Sequence, residues 1–199
     1  MKRINRIIAL QFVVFFAFSL LAGAQEYVAN APATLLKWEG KGVGKAHQGA
    51  ISIKHGSLTI KDGVPVSGKF TIDMTSITNS DLGSDDSKKR LIGHLKSDDF
   101  FSVETFPEAH FIVTGSHPGS DGSVHVHGDL TIKGKTHPVE FLAESSFNGN
   151  SGTFKGRIEV DRSLYDVRYG SGKFFDNLGD KTINDIFTLD FVLSVKKAG

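Results

Sequence analysis

From Thr34 onward, alternation of apolar side chains at every second position dominates, and one clear helical stretch interrupts it. Successive side chains of a strand point to opposite faces, so this period puts the apolar set on one face of a sheet. Leu36 and Trp38 start it. His47, Gly49, Ile51, Ile53 and His55 then share a face, with Gln48, Ser52 and Lys54 opposite. Leu58 and Ile60 form a brief second strand before an Asp62-Gly63 turn. Val66, Gly68, Phe70, Ile72 and Met74 align in the next. Further strands are expected over His110–Gly115, Val124–Lys133, Thr136–Phe147, Gly152–Asp161 and, near the end, Asp185–Lys196.

The exception lies between Asp85 and Lys96. Ser84 is placed to cap a helix there, and Asp85 and Asp86 suit its positive N-terminal end. Leu91, Ile92 and Leu95 give it an apolar stripe, too short to build a core of its own. A loop with an unusual aromatic content follows, carrying Phe100, Phe101 and Phe106. So much apolar surface must pack onto something or cover something. Eight or so strands, each apolar on one face, with one covering helix, make a single all-β antiparallel domain. A sandwich would fill its interior with interdigitating side chains. A closed barrel of about eight strands would leave room for one ligand. Alternation alone does not separate the two.

The N-terminus has the composition of an address. Lys2, Arg3 and Arg6 precede an apolar run, Ile7 to Leu21, which ends in Ala22-Gly23-Ala24. A basic head, a short apolar stretch and an A-x-A site describe a signal peptide over residues 1–24, and the run is short for a membrane span. Residues 25–33 then form a short lead-in, and 34–199 the domain. Cleavage after Ala24 would take the net charge from +1 to about −2. That leaves no basic excess to drive nucleic-acid binding. The chain has no Cys, so its stability comes from apolar burial without disulfides.

Three segments carry a resemblance. Val66-Ser67-Gly68-Lys69-Phe70-Thr71-Ile72-Asp73-Met74 is similar to a strand ending in an Asp-Met pair. His94-Leu95-Lys96-Ser97 is followed by Phe100-Phe101 and then Phe106-Pro107. Gly128-Asp129-Leu130-Thr131-Ile132-Lys133-Gly134 is similar to a G-x-L-T-[IL]-[KR]-G hairpin. In this order they resemble the YceI-like polyisoprenoid-binding proteins over about Thr34 to Lys197. The chain departs from that pattern where many members carry D-x-x-H-S near the start, and where R-x-D-F-G is replaced by Arg162-Ser163-Leu164-Tyr165-Asp166-Val167.

The resemblance implies a lipocalin-like β-barrel enclosing a long isoprenoid chain, as of a quinone or a prenyl phosphate, in a periplasmic or secreted protein. It needs no cofactor, and it admits a homodimer. Strand parity selects Phe70, Ile72, Phe111, Phe141, Phe147, Phe154, Phe187, Leu189 and Phe191 as lining residues. In a filled core the same residues would be ordinary packing. Phe100 and Phe101 are candidates for a lid. His47, with His55 far along the same strand, either marks a barrel mouth or is a rim or core histidine bonded to a backbone carbonyl, and Arg162 either forks a phosphate at the rim or pairs with Asp161 or Asp166 at the surface. His125 and His127 share a strand face with Asp129, the pattern of a solvated surface more than of a metal site.

No G-x-S-x-G, H-E-x-x-H or phosphate-binding loop is present, so no catalytic set can be named and an enzyme is not expected. Two readings follow. One is an exported carrier with a lipid in its barrel. The other is an exported β-domain with a filled core, acting through its surface.

Overall fold

The computed structural model describes residues 23–119 and 121–199. All of the expected signal peptide but Gly23 and Ala24 lies outside the described residues. Nine strands form one antiparallel sheet: β1 Gln25–Ala29, β2 Leu35–Gly42, β3 Lys45–Lys61, β4 Val64–Asp73, β5 Glu108–Pro118, β6 Val124–Ile132, β7 Lys135–Asn148, β8 Ser151–Asp161 and β9 Ile186–Lys197. The helix α1, Asp85–Lys96, stands between β4 and β5.

Each of β2 to β9 pairs with its neighbour in sequence, and β9 pairs back onto β2 to close the ring. β1 also sits between β3 and β9, opposite the C-terminal halves of both. β2 sits between their other halves. The two therefore form one interrupted stave, and the barrel has eight staves built from nine strands. The turn Ala31–Ala33 joins the two pieces. Closure removes the unpaired edges that a sandwich would leave.

Four expectations change. Residues 25–33 are not a lead-in, because β1 is part of the wall and Tyr27 is buried. The two strands expected before Asp62-Gly63 are one 17-residue strand. Its register against β4 shifts between Ile53 and His55. The shift moves inward-facing parity from Ile51 and Ile53 to Gly56, Leu58 and Ile60, and it leaves His55 exposed instead of on the apolar face. A second shift, between Thr59 and Ile60, pairs Ile60 with Pro65 and leaves Val66 outside.

The hairpin turns follow local chemistry. Asp62-Gly63 and Lys133-Gly134 each place two successive residues at positive φ, the two-residue turn whose twist matches the flanking strands.

The interior divides into two apolar clusters. One fills the lumen with residues such as Leu58, Phe70, Phe111, Phe154, Phe191 and Val195. The other lies beneath α1 and the aromatic loop and includes Met74, Leu95, Phe100, Val103, Val160 and Tyr165.

Candidate functional site

Two chambers follow the axis of the barrel. The first holds about 810 Å³ of atom-free space, counting space open to solvent, and every residue that lines it is apolar. The second, about 880 Å³ on the same measure, lies under the lid. Ile72, Leu130, Val160 and Leu189 belong to both walls, so the chambers abut.

The expected lining residues fall into place by strand. Phe70, Ile72, Phe111, Phe141, Phe154, Leu189 and Phe191 line the first chamber. Phe100, Phe101 and Phe187 line the second. Phe147 lines neither. It lies near the end of β7, 38% exposed, with its ring edge-on to Tyr27 and Phe154. Parity gives it the inward direction, but the lumen has ended by that height.

The rings lie against the wall because glycines make room for them. Gly56 pairs across with Phe70, and a Cβ on Gly56 would sit 2.2 Å from the ring carbon Cδ1. Gly156 pairs with Phe191, and there the distance would be 2.8 Å to Cζ. An aromatic ring laid over a cross-strand glycine is a recurrent way to pack a curved sheet. Here it keeps bulky side chains out of the axis.

The lid is held at both ends. At its start, Ser84 accepts a hydrogen bond from the Ser87 N–H, which caps α1. At its finish, the aromatic loop folds back, and the N–H groups of Phe101 and Val103 donate to the carbonyls of Leu95 and Lys96. Phe100 is thereby buried among Leu95, Val103 and Tyr165, while Phe101 is half-buried and meets Phe187 of β9 edge-on at 6.4 Å. Phe100 and Phe101 thus line the second chamber from the aromatic loop.

His47 is in neither chamber wall. Its Nδ1 lies 2.8 Å from Asp81 Oδ2, in the segment between β4 and α1. Asp81 also accepts from the Gln48 N–H and from the Asn79 amide. Burial opposes ionisation of Asp81, but the Gln48 N–H, His47 and Asn79 outweigh it and hold the carboxyl below its ordinary value. The place expected for a head group is a clasp that fastens the lid segment to β3.

Arg162 is not at an open rim. It is 2% exposed and lines the second chamber. Its Nε, Nη1 and Nη2 donate to the carbonyls of Asn184, Val167 and Ile183. Asp185 Oδ1 lies 3.6 Å from Nη2, and the Phe100 ring lies under Cζ at 5.5 Å. Burial pulls its pKa down, and Asp185 and Asp161 oppose that. The guanidinium tethers the chain before β9 to the turn after β8. Tyr165 beside it is fully buried, with its hydroxyl pushed up to about 12 by burial and by Asp161, so it stays neutral.

Parity missed the irregular part of the wall. Ile183 and Asn184 line the second chamber from a segment with no strand pattern. Pro65 reaches the first only through the shifted register of β4. A proline inside an alternating run is the one sign of that shift in the sequence.

An eight-stave antiparallel barrel, lidded at one end around an apolar lumen, defines a lipocalin-like barrel domain. The YceI-like domain family model matches residues 27–195, and the chain belongs to that family. A UPF0312 protein of Pseudomonas putida (strain W619) is 33% identical over 94 residues, 47% of this chain and 45% of that protein. A UPF0312 protein of Shewanella denitrificans is 27% identical over 118 residues, 53% and 62% of the two chains. The chain thus spans about half the length of the curated Pseudomonas relative it matches. Among solved structures, Burkholderia cenocepacia BcnA superposes with a TM-score of 0.66 at 25% identity, covering 83% of this chain and 98% of that one. A polyisoprenoid binding domain from Saccharophagus degradans, implicated in plant cell wall breakdown, has a TM-score of 0.60 at 16% identity over 86% and 98%. That likeness is one of fold. Among the described residues, no helix is long and apolar enough to cross a membrane.

Proposed function

We propose that the protein is an exported, non-enzymatic carrier that holds a polyisoprenoid or similarly long lipid inside its barrel. The observation that carries this reading is the pair of abutting chambers, with apolar walls along most of the barrel. An isoprenoid chain presents only apolar surface, and its burial is worth roughly 25 cal/mol per Å². Walls that are mostly apolar hold such a chain without fixing one register along it. A fold-mate from Saccharophagus degradans is a polyisoprenoid binding domain, which fits the same reading. Export rests on the basic, apolar and small-residue pattern of residues 1–24.

The test is native mass spectrometry of the mature protein purified from its own host, followed by organic extraction. A reproducible lipid adduct is the expected result. No adduct, together with no saturable binding of prenyl quinones, prenols or prenyl phosphates, would sink the carrier reading.

A further inference from the structure

A long lipid has two ends, and the two chambers differ only at one. The first has no polar residue in its wall. In the second, Arg162 is the only charged residue among the described lining residues. An arginine beside a lipid tunnel invites a phosphate, but this one is already engaged. Three of its donors serve backbone carbonyls, which fixes the plane of the fork. Its charge is balanced by Asp185 at 3.6 Å, and Phe100 covers one of its faces. Asp185 Oδ1, the oxygen of that ion pair, is buried and takes no hydrogen bond, so the pair is held by charge alone. The nearby Tyr165 hydroxyl is buried and likewise unpartnered.

A diphosphate entering here would lose its hydration and find no spare cation. Asp185, 3.6 Å from Nη2, already supplies the negative charge that pairs with the guanidinium. Burying an unpaired charge costs far more than burying a hydroxyl. A hydroxyl carries no charge, and its oxygen can accept from the guanidinium N–H groups that no carbonyl takes. We infer that the barrel selects an uncharged isoprenoid lipid with a hydroxyl head, and discriminates against the same chain ending in a phosphate or diphosphate. This rests on the carrier reading above and narrows its ligand class.

Geranylgeraniol and geranylgeranyl diphosphate share one chain and differ only in the head. Trp38 is the only tryptophan and lines the second chamber, so its fluorescence reports filling. The expected result is saturable binding of the alcohol, with the diphosphate weaker by about tenfold or more. Asp185→Asn leaves Arg162 without its counter-charge and should raise diphosphate affinity several-fold relative to the alcohol.

Equal or tighter binding of the diphosphate to the native protein overturns the inference, whatever the variant does, and leaves the carrier reading standing. A folded Asp185→Asn protein with an unchanged preference overturns it too. If neither lipid binds, the carrier reading fails and takes this one with it.

Discussion

Gly56 is small because Phe70 occupies the space its side chain would fill. The Cβ of an alanine there would lie 2.2 Å from the Phe70 ring, closer than carbon atoms approach, and the ring can yield only toward the axis. Phe70 lines the first chamber, so that movement narrows the lumen. Gly56→Ala should therefore shorten the longest prenol the protein retains, compared by extraction after loading with a chain-length series. It should also lower stability by about 1–3 kcal/mol in urea unfolding, the usual cost of overpacking. A variant with native chain-length preference would show that Phe70 does not set the width of the tunnel. A single sequence shows glycines at inward parity but not their partners, because a cross-strand neighbour is fixed by register. Arg162 has the same character. Its chemistry suggested a phosphate, and only the carbonyls of Val167, Ile183 and Asn184 around it reveal a tether.

The lid is the element whose parts separate by experiment. Phe100 is 7% exposed within the second cluster, and Phe100→Ser removes most of a core ring, so a loss of about 3–5 kcal/mol is expected. Phe101 is half-buried and faces the chamber, so Phe101→Ser should speed lipid dissociation with a much smaller change in Tm. Stopped-flow release of a loaded fluorescent lipid, beside thermal melts, distinguishes the two. Equal losses of stability would return both residues to the core and end the lid assignment for Phe101.

The clasp at Asp81 adds a pH dependence. Its folded-state pKa lies below the ordinary value of 3.8, so its stabilisation is complete above that value and fades as pH falls through the lower folded one. The urea-unfolding difference between the native protein and Asp81→Asn should be present at neutral pH and vanish at strongly acid pH; a constant difference would mean the carboxylate charge is not what fastens the segment.

Helix α1 was fully legible in the sequence, from Ser84 through Lys96, because cap and stripe are local signals. The bulge in β3 was not, since the residues on either side of it alternate correctly and only the pairing with β4 reveals the extra residue.

Closure is a property of the whole molecule, and alternation could not establish it. A sandwich and a barrel bury the same faces, and they differ in whether the last strand finds the first. Here that closing stave is built in two pieces, and the first piece, β1, is the one the pattern hid. Of its five residues only Tyr27 is buried, and with one inward anchor a strand leaves almost no periodic trace. Its backbone does the work instead, pairing Gln25–Val28 with Ser57–Ile60 of β3 and Tyr27–Ala29 with Val195–Lys197 of β9. A chain starting at Thr34 keeps β2, and so keeps the ring shut over the N-terminal halves of β3 and β9. It loses the stave at the other end, where Leu58, Ile60 and Val195 lie buried behind it. The exposed edges of β3 and β9 are then unpaired strand templates, which join other copies of the chain. The expected outcome is a lower Tm and concentration-dependent self-association in size-exclusion chromatography, while a chain starting at Gln25 behaves as the native barrel. Tyr27→Ala in the full chain separates the two contributions, because it removes the buried ring and keeps the backbone ladder. It should lower the Tm without self-association. If the shorter chain melts like the longer one and stays monodisperse, β1 is an ornament on a ring that β2 alone closes.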